Sequence, residues 1–491
     1  MLGRHLLGYL PVQLTQALVG FGSVAVFTRL LGADEYGFYA LVMACLSLVH
    51  MLVFTWLDAA LARFHARAER RGRLSDHLAT AYGIYGLLAL FALVCGTGLL
   101  LIPGLDPRLQ TAGVFALASL LLRALLQIGL ETHRAGADIP RYSALQASYQ
   151  LLGFMIGVGL LLGTPLGAAG IFAGTALAGA IMLVFDLPVM WRRARSGKRQ
   201  SVRGQAYLKY GLPVSVSLVF EHLLSIGDRF LLAALMGPSA VGMYAAGYGL
   251  ADRMIDIIFI WFGAAVWPLT IKALETRGEQ AAKTVAGQAA ALMGLIAFPA
   301  AAGLALVAPA LTTVMVGESV REGATLIMPL IALSGLMNGM MTYYFHEAFT
   351  LKRRTGLMAG TMAAAAVFNL GLNLVLIPLM GLVGAALATV IAYGVALVVC
   401  AVLGRNFFAL PLPWSEWIKS AAATVLMGAA VLAIPALGTA WILLFLQAGT
   451  GLVVYGAAAL VFDIAGCRSW LGQWRSDRPG RSPEETPDGC A

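Results

Sequence analysis

The chain has 491 residues, 60% of them hydrophobic and 12% charged, with a mean hydropathy of +0.83. Ordinary soluble domains carry about 25% charged residues, so a water-soluble globular fold is excluded. A formal net charge of +9 in a soluble chain would suggest nucleic acid. Here the basic residues flank apolar spans, so attraction to an anionic leaflet is the better reading and no nucleic-acid partner is expected.

A helix needs about 20 largely apolar residues to cross a bilayer. Six segments in the first half meet that test: 9–30, 37–57, 79–102, 111–130, 142–163 and 167–190. Six more follow at 208–236, 240–270, 285–310, 324–350, 357–378 and 381–404, and a last pair at 416–437 and 440–463. The expectation is an all-α polytopic membrane protein of about 14 transmembrane helices. The N-terminus has a basic start and a long apolar stretch without a small-residue cleavage site, and reads as a retained first helix.

The connections alternate in charge. All but six of the 33 Lys and Arg residues fall in every second connection or on the termini. The densest runs are Arg63–Arg73 and Arg192–Arg203. The intervening connections, such as 163–167, 236–240 and 378–381, are short and nearly uncharged. Loops rich in Lys and Arg stay on the cytoplasmic side, so both termini are predicted to be cytoplasmic. The exceptions are Arg29, Arg108, Arg123, Arg229, Arg253 and Arg321.

Two internal repeats point to duplication. Gly32, Gly37, Tyr39 and Ala40 after the first span match Gly237, Gly242, Tyr244 and Ala245 after the seventh. Gly167-Ala-Ala-Gly170 matches Gly381-Leu-Val-Gly384. The expected organisation is an N-terminal six-helix lobe (1–190) and a basic cytoplasmic linker (191–207). A C-terminal six-helix lobe (208–404) and helices 13–14 (405–465) follow. The polar, Pro-rich tail (466–491) is expected to be cytoplasmic and disordered. With six helices per copy the repeats are parallel, about an axis along the membrane normal.

Ionisable groups inside hydrocarbon are costly and mark function. Arg123 sits mid-span in helix 4; the competing reading is a structural ion pair. In helix 7, Glu221, Ser225 and Asp228 share a face, flanked by His222 and Arg229. In helix 8, Asp252 and Asp256 share a face beside Arg253. An internal salt-bridge cluster between helices 7 and 8 is the alternative there. Arg29 lies at the outer end of helix 1, within reach of water, and Asp186 near a helix end reads as snorkelling. Five cysteines (Cys45, Cys95, Cys400, Cys467, Cys490) have neither metal-like nor disulfide-framework spacing. There is no HExxH, GxSxG or Walker motif. The sequence therefore predicts no enzyme, metal or cofactor.

The segments 28–42 and 212–254 carry a Leu-Gly-x-x-x-Tyr-Gly-x-Tyr turn, Pro213, the Asp228-Arg229 pair and Gly242-x-Tyr244-x-Ala246. In these the chain resembles the polysaccharide transporter family, the Wzx-type lipid-linked oligosaccharide flippases of the multidrug/oligosaccharidyl-lipid/polysaccharide exporter superfamily. The resemblance covers all fourteen spans. It implies two pseudo-symmetric lobes around a central V-shaped cavity lined largely by helices 1, 2, 7 and 8. It also implies undecaprenyl-diphosphate-linked oligosaccharide as substrate in a bacterial inner membrane, with membrane lipids and polysaccharide polymerase and chain-length proteins as partners. Arg123, Arg253, Arg229 and Arg29 suit a diphosphate. Glu221, Asp228, Asp252 and Asp256 suit coupling to a proton or sodium gradient. A multidrug cation antiporter, a lipid II flippase and a membrane-embedded glycan polymerase or ligase are the competing functions. The antiporter would want acids and aromatics where Arg123 and Arg253 sit, and the enzyme would need a large outer loop.

Overall fold

The structure, a computed structural model, describes residues 2–352, 354–435 and 438–469, and among these it is all helix and turn. The helices are α1 (Leu2–Leu30), α2 (Ala33–Val53), α3 (Thr55–Arg70), α4 (Leu74–Leu100), α5 (Pro107–Ala135), α6 (Ile139–Gly163), α7 (Ala168–Ala194) and α8 (Ser201–Met236). They continue with α9 (Pro238–Arg277), α10 (Glu279–Met315), α11 (Glu318–Met340), α12 (His346–Leu351), α13 (Thr355–Arg405), α14 (Trp414–Leu432) and α15 (Ala440–Val461). Among the described residues, eleven helical segments are long and apolar enough to cross a membrane. Among the described residues a helix runs through each of the fourteen expected spans. α11 and α12 form one span through a π-helical turn at Met341–Phe345. α13 holds two, broken at Gly381. α8, with Glu221, His222, Asp228 and Arg229 in one stretch, and α14, 19 residues long, are the remaining two.

The break in α13 supports the duplication. Gly381 has φ 58° and ψ −132°, and its repeat partner Gly167, which starts α7, has φ 51° and ψ −134°. Side chains other than hydrogen are strained in that region, so both copies need glycine to turn the chain back. Packing repeats too: α1 lies against α6 as α8 lies against α13, and α2 against α5 as α9 lies against α11. α14 and α15 pack on each other and on α10. There the Trp417 Nε1–H donates to the Ala290 carbonyl (2.8 Å) and the Tyr455 hydroxyl to that of Leu295 (2.6 Å). Leu87, Phe91 and Val94 of α4 are exposed, as expected of a lipid-facing surface.

Two basic connections are more helical than their composition suggests. Residues 55–70 form α3, whose Trp56, Leu57, Ala60, Leu61 and Ala68 are buried while the arginines face out. That is the 3.6-residue periodicity of an amphipathic surface helix. The expected linker is shorter than 191–207, since α7 runs to Ala194 and α8 starts at Ser201. Arg192 and Arg193 sit in the last turn of α7, where cations complement the helix dipole. The tail beyond Ser469, with Cys490, lies outside the described residues. Cys45, Cys95, Cys400 and Cys467 are free thiols.

Candidate functional site

A cavity of about 530 Å³ opens among α1, α2, α5, α6 and α7, and both mid-membrane arginines line it. The Arg123 guanidinium of α5 lies 4.6 Å from the centre of the Tyr149 ring on α6. A cation over an aromatic face is attracted by the ring quadrupole, which holds the guanidinium without neutralising it. Arg253 reaches in from α9 and donates from Nη1 to the carbonyl of Gly20 on α1. A Cβ at residue 20 would lie 3.1 Å from that nitrogen, so the glycine leaves the arginine its path to the backbone. Gln16, Ser23, Ser47, His50 and Gln150 are among the other polar groups of the wall, and Phe27, Tyr39, Phe154 and Phe172 among its aromatic ones. Among the described residues no carboxylate lines this cavity.

The wall differs from the one the family resemblance implies. Helices 1, 2 and 8 contribute, but helix 7 (α8) does not, and helices 4, 5 and 6 take its place. α8 packs so closely on α2 and α3 that a Cβ at Gly211 would lie 2.0 Å from the Trp56 carbonyl oxygen. The Ser215 hydroxyl donates to the Met51 carbonyl, and Ser47 Oγ lies 2.7 Å from His222 Nε2. Those contacts hold α8 against α2 and α3, beside the cavity wall at Ser47.

The other expected site residues lie elsewhere. Arg229 stacks at 5.3 Å over Tyr248, and its Nε, buried, has no hydrogen-bond partner among the described residues. Asp228 beside it is fully buried and accepts from the Tyr244 hydroxyl through Oδ2, while Oδ1 has no partner among the described residues. Glu221 is exposed, and Asp252 and Asp256 are half-buried on α9. The salt-bridge cluster weighed for α8 and α9 does not form. Among the described residues none of Glu221, Asp228, Arg229, Asp252, Arg253 and Asp256 belongs to an ion pair.

Arg29 is a clasp at the end of α1, donating to the carbonyls of Ala25 (2.6 Å), Val314 and Met315 (3.4 Å). Asp186, expected to snorkel, is instead buried. Its Oδ1 sits 2.8 Å from His133 Nε2 and 3.4 Å from Arg141 Nε. Among the described residues no group of His, Cys, Asp and Glu side chains could hold a metal ion.

Tyr149 and Gln150 are residues that charge-based reading passes over. An amide and a phenol next to each other in a span are the available signal, because polar groups in hydrocarbon need a partner or a wet cavity.

Residues 2–274, which hold the whole cavity wall, match the polysaccharide biosynthesis protein family. The chain belongs to that family. Among solved structures, the lipid II flippase MurJ in an inward closed conformation is 12% identical over 95% of this chain and 100% of that one, with a TM-score of 0.77. An inward-facing multidrug resistance MATE family transporter of the MOP superfamily is 14% identical over 79% and 94%, with a TM-score of 0.61. The eukaryotic MATE transporter AtDTX14 is 15% identical over 85% and 100%, with a TM-score of 0.52. At these identities the likeness is one of fold. No curated protein sequence matches significantly.

Proposed function

We propose that this family member is a flippase that turns undecaprenyl-diphosphate-linked oligosaccharide from the inner to the outer leaflet of a bacterial cytoplasmic membrane by alternating access. Its product feeds cell-surface or exopolysaccharide synthesis. The observation that carries the reading is the convergence of Arg123 and Arg253 on one cavity whose described wall contains no acid. Guanidinium groups bind phosphate oxygens through paired donors, and a low-dielectric cavity strengthens that attraction. A multidrug cation would meet two like charges there, so the antiporter reading is disfavoured. The chain is then a transporter rather than an enzyme. Glu221, Asp228, Asp252 and Asp256 are the groups proposed to couple transport to a proton or sodium gradient, and Arg229 and Arg29 are proposed, with Arg123 and Arg253, to bind the diphosphate or glycan. The Lys/Arg-rich face, with both termini, is cytoplasmic by the charge rule. Polysaccharide polymerase and chain-length proteins are the proposed downstream partners.

Lipid II flipping is the second reading, favoured by the fold shared with MurJ over the whole of that chain. Reconstitution with defined lipid-linked sugars separates the two. The test of the site is Arg123→Ala and Arg253→Ala, each expected to lower flipping tenfold or more, since a charge-assisted hydrogen bond is worth about 1.5–3 kcal/mol. Membrane insertion should be unchanged. Full complementation of a flippase-null strain by both variants sinks the assignment.

A further inference from the structure

A second cavity, of about 300 Å³, lies on the Lys/Arg-rich face, between the α3–α4 turn and the start of α8. It shares no residue with the transport cavity. Arg67 borders it from α3, Arg71 and Arg73 from the turn, and Arg203 from α8. Retention of a basic loop requires charge alone and no particular arrangement. Here four guanidinium groups from two distant stretches of chain border one concavity. Arg203 is partly satisfied, with Nε on Gln200 Oε1 at 2.6 Å and Nη2 3.9 Å from Asp76. The side chains of Arg67, Arg71 and Arg73 make no hydrogen bond or ion pair among the described residues. Asp76 is engaged by the Lys198 backbone N–H (2.9 Å) and the Gln200 amide (3.0 Å). His77 in the wall is fully buried, and its Nδ1 meets the Tyr207 hydroxyl.

We propose that this cavity is a phosphate-binding site, taking either the headgroup of an anionic phospholipid or a soluble phosphate or diphosphate. Three arginines whose side chains make no hydrogen bond or ion pair among the described residues form, with Arg203, a donor set suited to a multiply charged oxyanion. Basic pockets at the ends of membrane helices hold lipid headgroups by the same chemistry. An occupant would tie the α3–α4 turn to the start of α8.

The test uses the full chain in nonionic detergent. The unfolding midpoint is followed while either sodium diphosphate, at constant ionic strength, or phosphatidylglycerol against phosphatidylcholine is titrated. Stabilisation of the wild type is expected. In the variant Arg67→Gln/Arg71→Gln/Arg73→Gln the half-saturating concentration should rise about tenfold, equivalent to ~1.4 kcal/mol. Arg192→Gln/Arg193→Gln/Arg195→Gln removes as much charge from the same face outside the cavity and should bind as the wild type does. A response to phosphatidylglycerol alone identifies a headgroup site, and a response to diphosphate alone a soluble ligand; each upholds the proposal. No stabilisation beyond the salt reference overturns it, as does equal loss in both triple variants. Should the first triple variant fail to fold, Arg71→Gln and Arg73→Gln singly are read in the same way.

Discussion

At the scale of single residues, the contrast between Arg123 and Arg29 shows what burial and partners do to the same side chain. Arg29 spends its donors on three backbone carbonyls and is thereby a clasp. Arg123 has an aromatic face beneath it and a cavity beside it, so its donors remain available to a ligand. Tyr149 should therefore matter through its ring rather than its hydroxyl. Tyr149→Phe is expected to flip cargo at the wild-type rate. Tyr149→Ala, which loses a cation–π contact worth ~1 kcal/mol, should slow flipping about fivefold. Reconstituted proteoliposomes measure both, and equal rates for the two variants would remove Tyr149 from the site.

At the scale of elements, the packing of α5 on α7 depends on the buried carboxylate of Asp186. Gly129 of α5 faces it so closely that a Cβ there would lie 1.9 Å from Oδ2. Gly129→Ala must displace the carboxylate from His133 and Arg141, and a buried charge that loses a hydrogen bond costs about 2 kcal/mol. The unfolding midpoint of the purified protein should fall accordingly. In an Asp186→Ala background the same substitution should cost much less, because nothing remains to be displaced. Helix existence was legible from the sequence, since a run of 20 apolar residues has few alternatives in a bilayer. The partner of Asp186 was not. His133 and Arg141 lie 53 and 45 positions away, and only the crossing of α5, α6 and α7 brings them together. The same holds for the cavity. Charge in hydrocarbon singled out Arg123 and Arg253, but not that they share a wall.

At the scale of the whole molecule, the neutral face is shut by a contact that uses the duplication itself. A Cβ at Gly37 would lie 1.8 Å from the Pro238 carbonyl oxygen, and one at Gly242 2.4 Å from that of Ala33. Ala33 and Gly37 stand in the first repeat where Pro238 and Gly242 stand in the second, so each copy offers a glycine to the backbone of the other. Such a self-complementary contact is what a two-fold axis produces. A third close approach seals the same face, where a Cβ at Gly317 would lie 1.9 Å from the Thr28 carbonyl oxygen. The Gly317 N–H also donates to Thr28 Oγ1 at 2.8 Å. Alternating access requires this seam to open, and glycine on both sides makes the closed state depend on the absence of side chains. Gly37→Leu and Gly242→Leu should therefore hold the molecule open on the neutral face. In a background where the native cysteines are replaced, Ser23→Cys in the cavity wall reports the state to a membrane-impermeant thiol reagent added from that face. Labelling is expected to be slow with both glycines in place and at least about tenfold faster with either leucine, a shift in the closed–open equilibrium of ~1.4 kcal/mol or more. Transport should fall in the same variants because the return to the closed state is blocked. Unchanged labelling with transport intact would mean that the seam closes some other way.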